Sequence, residues 1–497
     1  MSNIEVKNLS FAYGAETIFD DAQINIDTHW KLGLVGRNGR GKTTLLRILQ
    51  GKIPAEFSVK TNKNFVYFPQ DLTGVSNQTF ELLQALVEVE QWELERELTM
   101  LKVDLDVLWR PFNSLSGGEQ TKCLLAVLFL DKENFPLIDE PTNHLDLASR
   151  ALVANYLQKK TGFILVSHDR AFLDIVCDHI LAIERRQIVL YQGNFTTYEM
   201  EKKRRDEFEL AEDNRLRKDI LRLKQTAREK EAWSRNLEAT KSRGKRGFDS
   251  ETKGVDKGFI GHKAASMMQK SKNLEHRMDK EISDKENLLH NLEKIGDLAM
   301  NFIPTHHKNL LRVERFSLGF NDEKLFEPVS FELNRGDILA LTGENGTGKS
   351  SFIRYLQEKF TGNSSGKIEL AHGLSISYVE QLFEHKGNLR DFAKKNHLDL
   401  ELFLSNLKKL GLERSAFSQN IENLSQGQQK KVELARALSQ PAQLYIWDEP
   451  LNYLDVFNHE QISKLLCSVK PTMLLVEHDS RFIEEVADKI VNLQKKS

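Results

Sequence analysis

Residues 36–43 read GRNGRGKT and residues 343–350 read GENGTGKS. Both follow the spacing G-x-x-x-x-G-K-[ST], in which glycines let the backbone curl until its N–H groups face a phosphate chain. Gly36, Asn38, Gly39, Gly41 and Lys42 form the first loop, with Thr43 and Thr44 opening the run that follows. Gly343, Asn345, Gly346, Gly348 and Lys349 form the second, followed by Ser350 and Ser351. Each lysine would set a point charge near the β- and γ-phosphates, and the Thr43 and Ser350 hydroxyls suit Mg²⁺. Each loop follows an apolar strand (KLGLV, DILALT) and leads into a helical pattern (TLLRILQ, SFIRYLQ). A helix N-terminus therefore also faces the anion. A chance glycine-rich loop explains neither the second copy nor the shared context.

The loops are one landmark of a longer repeat. Gln70 and Gln381, LSGGEQ from Leu115 and LSQGQQ from Leu424, LIDEP around Asp139 and YIWDEP around Asp448, and His168 and His478 all recur in the same order. Each second copy lies roughly 310 residues after the first, which marks a duplicated domain. The sequence divides into residues 1–195, a spacer at 196–303 and residues 304–497.

Bulk properties narrow the class. The 497 residues are 40% apolar and 29% charged with a formal net charge of −2, which fits globular domains and gives no electrostatic hint of a partner. No run approaches the ~20 apolar residues of a membrane helix. The N-terminal MSNIEVKNLSFAYG lacks the apolar core of a signal peptide. Cys123, Cys177 and Cys467 are far apart and form no CxxC pair, so neither a disulfide framework nor a zinc site follows, and a cytoplasmic location is expected.

Acids stand where apolar strands end. FPLIDE places Asp139 and Glu140 after buried-type residues, and LYIWDE places Asp448 and Glu449 likewise. Packing explains such pairs poorly, because buried carboxylates need partners. The first acid of each pair suits the metal shell through water; the second suits orienting and polarising an attacking water. His168 and His478 follow FILVS and MLLVE, and their recurrence points to a γ-phosphate contact.

The spacer has a different grammar. Leu216, Ile220, Leu223 and Ala227 fall at helical spacing, as do Leu274, Met278, Ile282, Leu289 and Leu292. Between them, glycines at 244, 247, 254, 258 and 261 break the pattern. The expectation is a hairpin of two long helices, about 60 Å long, around an irregular tip at about 241–261. Residues 221–270 hold 13 Lys and Arg against 6 Asp and Glu. A solvated coiled coil would account for some of this. The mix of Lys241, Arg243, Lys245 and Arg246 with Phe248, Val255 and Phe259 favours a tip that touches RNA, where cations answer phosphates and aromatic faces stack on bases.

Taken together, the phosphate loops, Gln70, LSGGEQ, DEPTNHLD and His168 resemble the ABC ATPase superfamily. The resemblance implies two α/β P-loop domains in tandem, paired head to tail within one monomeric chain. Ser116, Gly117 and Gly118 would face an ATP held by Lys349, while Ser425 and Gly427 would face one held by Lys42. It assigns Gln70 and Gln381 to the ATP and Mg²⁺ shell, Asp146 and Asp455 to the D-loops, and Tyr13 and Phe320 to adenine stacking. The second signature departs from the pattern, with Gln426 for Gly and Gln428 for Glu. A lost glycine implies lost backbone latitude, so the Lys42 site is expected to differ from its counterpart.

Two cassettes around a charged helical linker are similar to the ABC-F family, whose members bind the ribosomal E site with ATP. YQGNFTTYEMEKKRR at 191–205 looks like that family's entry into the linker. GLVGRNGRGKTTLLRIL, EQWELERELTML, FPLIDEPTNHLDLA, YIWDEPLNYLDVFNH and PTHHKNLL are similar to the Lsa-type resistance proteins. That likeness implies a partner, the 70S ribosome, reached at rRNA and P-site tRNA by the linker. It also implies protection against lincosamides, streptogramin A and pleuromutilins. A housekeeping translation factor has the same chemistry without the drug phenotype. Gln70 to Leu115 and Gln381 to Leu424 span 45 and 43 residues, which leaves no room for a large inserted arm. The chain ends shortly after His478, so no long basic C-terminal extension is expected.

Overall fold

The computed structural model describes residues 3–14, 16–72, 77–143, 145–184, 187–243, 296–320, 323–381 and 385–495; at 213, 223, 226–228 and 230–243 it describes the backbone alone. Two compact units emerge, one formed by Met1–Tyr198 with Gly296–Ser497 and the other by Glu199–Ile295.

In the first half of the larger unit, β1 (Asn3–Tyr13), β2 (Glu16–Asp27) and β4 (Glu56–Lys60) form an antiparallel sheet with β1 in the middle. The central sheet holds β3 (Lys31–Val35), β5 (Asn64–Phe68), β6 (Asn134–Asp139), β7 (Phe163–Val166), β8 (His179–Glu184) and β9 (Gln187–Gln192), in the order β5-β6-β7-β3-β8-β9. Only β8 and β9 pair antiparallel. β3 and β7 are short apolar runs because both faces of this sheet are covered. Their side chains alternate accordingly. Leu32, Leu34, Ile164 and Val166 join the core with Leu45 and Ile48, whereas Val35, Phe163 and Leu165 join a second core with Leu98 and Leu125.

Helices α1 (Lys42–Leu49), α2 (Thr79–Leu86), α3 (Gln91–Met100), α4 (Gly117–Leu128), α5 (Leu147–Gln158) and α6 (Arg170–Val176) belong to this half. α7 (Phe195–Arg243) is a single helix of 49 residues. Its first turn is rooted in the first half. Phe195 and Tyr198 are buried there, and Asp174 on α6 accepts both the backbone N–H of Thr196 at 2.7 Å and its hydroxyl at 2.5 Å.

The second half repeats the plan. β10 (Asn309–Phe320) pairs antiparallel with β11 (Glu323–Lys324), β12 (Val329–Asn334) and β14 (Asn363–Leu370). The central strands are β13 (Ile338–Gly343), β15 (Ile376–Val379), β16 (Leu444–Asp448), β17 (Met473–Val476) and β18 (Lys489–Leu493), in the order β15-β16-β17-β13-β18 and all parallel. Helices α8 (Lys349–Leu356), α9 (Leu389–Lys395), α10 (Leu400–Lys409), α11 (Gln426–Ser439), α12 (Val456–Val469) and α13 (Ser480–Val486) complete it. The fold is thus two tandem α/β halves, as the repeat predicts. Residues 296–303, placed in the spacer from sequence, lie along this half: Asn301 N–H donates to Leu438 O at 2.8 Å and Ile303 N–H to Ala442 O at 2.9 Å.

Lys241 and Arg243 lie on the backbone of α7, while Lys245, Arg246, Phe248, Val255, Phe259 and the second arm of the expected hairpin lie outside the described residues. No described helix is long and apolar enough to cross a membrane.

Candidate ATP sites at the seam between the halves

The phosphate loops, the glutamines, the paired acids and the histidines singled out by sequence stand at the carboxyl ends of the parallel strands, the usual ligand edge of such a sheet. β3 runs into the first phosphate loop, β5 into Gln70, β6 ends at Asp139 and β7 leads to His168. Gly41 introduces α1 with φ of 89°, and a Cβ there would stand 2.5 Å from Ile18, so glycine is required twice over.

The Lys42 ammonium donates to Gly36 O at 2.8 Å, Arg37 O at 3.3 Å and Asn38 Oδ1 at 3.3 Å. Lys349 does the same with Gly343 O at 2.8 Å and Glu344 O at 2.9 Å. Both side chains are buried. Burial pushes the Lys42 pKa down, and Asp455, Glu140 and Asp139 pull it back.

The Thr43 hydroxyl donates to Asp139 Oδ2 at 2.8 Å. Asp448 is buried and pushed up to about 6 by that burial and by Glu449, against a hydrogen bond from Ser350. Among the described residues no three His, Cys, Asp or Glu gather as a metal set. Instead, hard oxygens stand ready: Gln70 Oε1 in the first half and Asp448 Oδ1 in the second are buried and accept no hydrogen bond. Hydroxyls, carboxylates and an amide oxygen, completed by substrate phosphates, form a donor set that fits Mg²⁺.

Glu140 and Glu449 adopt left-handed backbone, with φ of 53° and 48°, a conformation that non-glycine residues hold only under surrounding constraint. The constraint is the same in both: Glu140 N–H donates to Val166 O and Glu449 N–H to Val476 O, each at 2.9 Å. His168 Nε2 lies 3.2 Å from Glu140 Oε1, and His478 Nε2 lies 3.3 Å from Glu449 Oε1.

Beyond this pairing the halves differ. Burial and Asp139 push Glu140 up to about 8. Burial also acts on Glu449, but His478, Gln381 and Asn452 outweigh it and hold the carboxyl at about 2. Gln381 and Asn452 donate to Glu449 Oε2 at 2.8 and 2.5 Å. Gln70 instead donates to Leu124 O at 3.1 Å. His168 is kept neutral, first by burial and then by Lys42.

The halves meet through these sites. Asn38 N–H donates to Asp455 Oδ2 at 2.7 Å, and Asn38 Nδ2 to Tyr453 O at 2.9 Å. Reciprocally, Asn345 N–H donates to Asp146 Oδ2 at 3.4 Å. Asp455 and Asp146 also cap α12 and α5. A cavity of about 430 Å³ is walled by Tyr13, Lys42, Glu140 and His168 from one half and by Ser425 and Gly427 from the other. Tyr13 and Phe320, the expected adenine platforms, are 54% and 46% exposed. Phe320 packs on Phe360 at 5.1 Å.

The altered signature behaves differently from the sequence expectation. Neither Gly117 nor Gln426 has positive φ, because both begin a helix, so Gln426 sacrifices no special backbone freedom. The irreplaceable glycine is Gly427, whose Cβ would stand 2.9 Å from Tyr453 O and 3.4 Å from Asn38 Nδ2. Gln428 preserves the capping box, its Oε1 accepting Ser425 N–H at 3.1 Å. In the first half Glu119 accepts both the N–H and the hydroxyl of Ser116, at 2.8 and 2.7 Å. Exchanging that acid for Gln428 leaves the Ser425 hydroxyl proton available. Asn452 and Tyr453 were not singled out from sequence; only the DEPLNYLD repeat hinted at them.

The sequence pattern of the ABC transporter family matches residues 19–143 and 326–452. The erythromycin resistance ATP-binding protein MsrA of Staphylococcus epidermidis is 30% identical, over 92% of this chain and 91% of that protein. The ribosome protection protein VmlR of Bacillus subtilis is 25% identical, over 98% and 85%. The ATP-binding protein Uup of Caulobacter vibrioides is 27% identical, over 99% and 77%. Among solved structures, the archaeal ribosome recycling factor aABCE1, in complex with the stalk protein aP1, superposes with a TM-score of 0.65 at 19% identity, covering 98% of this chain and 88% of that one; at that identity the likeness establishes the fold. Two nucleotide loops, each bonded across the seam by an aspartate of the opposite half, define an ABC-type ATPase. The chain belongs to the ABC family and, within it, to the ABC-F proteins, and it hydrolyses ATP.

Proposed function

We propose that this protein is an ATP-dependent ribosome protection factor of the cytoplasm, acting at the ribosomal E site. The reading places ATPase domains at 1–195 and 304–497 around a linker at 196–303. The observation that carries it is the reciprocal seam, in which Asn38 meets Asp455 and Asn345 meets Asp146. A clamp built this way closes on two ATP molecules. A long helix leaving the first half gives closure something to move. The resistance and ribosome protection roles in the names of two relatives support the choice of target.

In this mechanism the backbone N–H groups of both loops, with Lys42 and Lys349, hold the triphosphates. Ser116, Gly117 and Gly118, and Ser425 and Gly427, complete the sites in trans. Glu140 and Glu449 orient the attacking water, and His168 and His478 hold those carboxylates and the γ-phosphate in register. Thr43, Gln70 and Asp139, and Ser350, Gln381 and Asp448, would hold Mg²⁺, which offsets charge on the β- and γ-oxygens. The closed form binds the 70S ribosome; the linker tip perturbs rRNA or P-site tRNA, and a lincosamide, streptogramin A or pleuromutilin leaves. Hydrolysis then reopens the clamp.

A Glu140→Gln, Glu449→Gln double variant should be trapped closed and should co-sediment with ribosomes in ATP. Its absence from the ribosome pellet would overturn the reading. Uup, related over 99% of this chain, bears no resistance name, which favours a housekeeping translation factor as the second reading. Drug susceptibility of a deletion strain separates the two: unchanged inhibitory concentrations for all three drug classes select the housekeeping role.

A further inference from the structure

Lys431, on α11, is only 3% exposed, yet among the described residues its ammonium makes no hydrogen bond and no ion pair. Taking an ammonium out of water without a partner is among the costliest placements a fold can make. The opposing charge that acts on it most strongly is Asp455, and that carboxylate is already engaged by Asn38 N–H and by the α12 cap at Asn458 N–H. Like charges on Lys42 and Arg37 raise the cost further.

The position of the group suggests what offsets that cost. Lys431 lines the same cavity as Lys42, Glu140, His168 and Ser425. Its Nζ lies over Gly411, where a Cβ would stand 3.7 Å away. Two cations from opposite halves thus face one space, an arrangement that calls for a polyanion. Lys122 holds the equivalent place on α4 but is only partly buried, and it acts on the nearby carboxylate of Glu119. In α11 that acid is replaced by Gln428, so the Lys431 charge is not diluted by a signature carboxylate.

We propose that Lys431 is a nucleotide-binding residue delivered in trans, its ammonium contacting the terminal phosphate of ATP seated on the Lys42 loop. The site whose signature lacks the usual carboxylate would then meet an undiluted cation, and only a triphosphate held between closed halves reaches it. A cation supplied across an interface stabilises charge on a transferring phosphoryl group. The inference rests on the assignment of the Lys42 cavity to ATP.

The test uses the full chain carrying Lys349→Ala, which isolates the first site, with and without Lys431→Met. Affinities for Mg²⁺–AMP-PNP and for ADP are measured alongside melting temperature. The methionine variant should melt no lower than its parent without nucleotide, because an unpaired buried charge has gone. Its Kd for AMP-PNP should rise about tenfold or more, with ADP changed less than about twofold. Lys431→Arg should restore most of the AMP-PNP affinity, and Lys431→Gln serves if the methionine variant does not fold. Unchanged AMP-PNP affinity, or an equal loss for ADP and AMP-PNP, overturns the proposal, as does a lowered melting temperature with affinity intact. Failure of the Lys349→Ala parent itself to bind AMP-PNP would instead overturn the ATP assignment.

Discussion

Gln381 donates its side-chain amide to Glu449 at 2.8 Å, while its repeat partner Gln70 turns to the carbonyl of Leu124. Two carboxylates in matching backbone positions therefore meet different surroundings, one lifted to about 8 and the other held at about 2. A carboxylate that polarises water must be ionised. Glu140 gains that form as pH rises through 8, whereas Glu449 has it throughout the neutral range. In a Lys349→Ala chain, where the first site works alone, kcat/KM for ATP should rise up to about tenfold from pH 7 to 9. A Lys42→Ala chain should stay flat over the same interval. Parallel profiles for the two chains would refute the assignment.

The same contrast predicts unequal glutamate variants. Glu140→Gln and Glu449→Gln should each slow single-turnover hydrolysis at their own site by about 100-fold or more, with the two rates differing measurably. Glu449→Gln also disturbs the amides of Gln381 and Asn452, which Glu140→Gln has no equivalent for. Indistinguishable rates would remove the claim that the sites differ.

Asp455 combines a helix cap with the 2.7 Å bond to Asn38, and Asp146 combines a cap with the weaker 3.4 Å bond to Asn345. Asp455→Ala should cost about 2 kcal/mol of stability, the sum of a cap and a buried hydrogen bond. Asp146→Ala should cost about 1 kcal/mol, mostly the cap. Urea unfolding of the two variants provides the comparison, with Asp455→Asn retaining much of the cap.

The signature can be probed from both directions. Gly427→Ala puts a Cβ 2.9 Å from Tyr453 O, so the seam must open; KM for ATP should rise about tenfold with little change in melting temperature. Gln426→Gly, which restores the usual residue, should change ATPase kinetics by less than about twofold, because position 426 is ordinary helix. A large gain from Gln426→Gly would return the asymmetry to that residue.

The duplicated plan, both phosphate loops and the acids at the ends of β6 and β16 were legible in sequence, because each depends on local spacing within one strand and the turn after it. The seam was legible only through family resemblance, since nothing local links Asn38 to Asp455 across more than four hundred residues. The divergent partners of Gln70 and Gln381 were not legible at all: PQ and EQ look alike, and the difference arises from packing around Leu124 and Glu449. Lys431 was hidden for a related reason. Nothing in KKVELARAL tells the two lysines apart, yet Lys430 reaches Glu380 O within its own half while Lys431 lines the cavity that Lys42 of the other half also faces. The lost glycine at 426 removes no backbone latitude the chain uses, because that position is a helix start with ordinary angles.

The root of α7 has a mechanical consequence. Asp174, which anchors Thr196, lies on the short helix that begins two residues after His168. His168, which faces the Glu140 carboxylate, is thus joined through one helical turn and two hydrogen bonds to a helix of 49 residues. Such a rod is about 73 Å long, so a tilt of about 5° at its base sweeps the far end through about 6 Å. A displacement on the scale of an ångström at the root of such a helix would thereby be geared up to the width of a nucleobase.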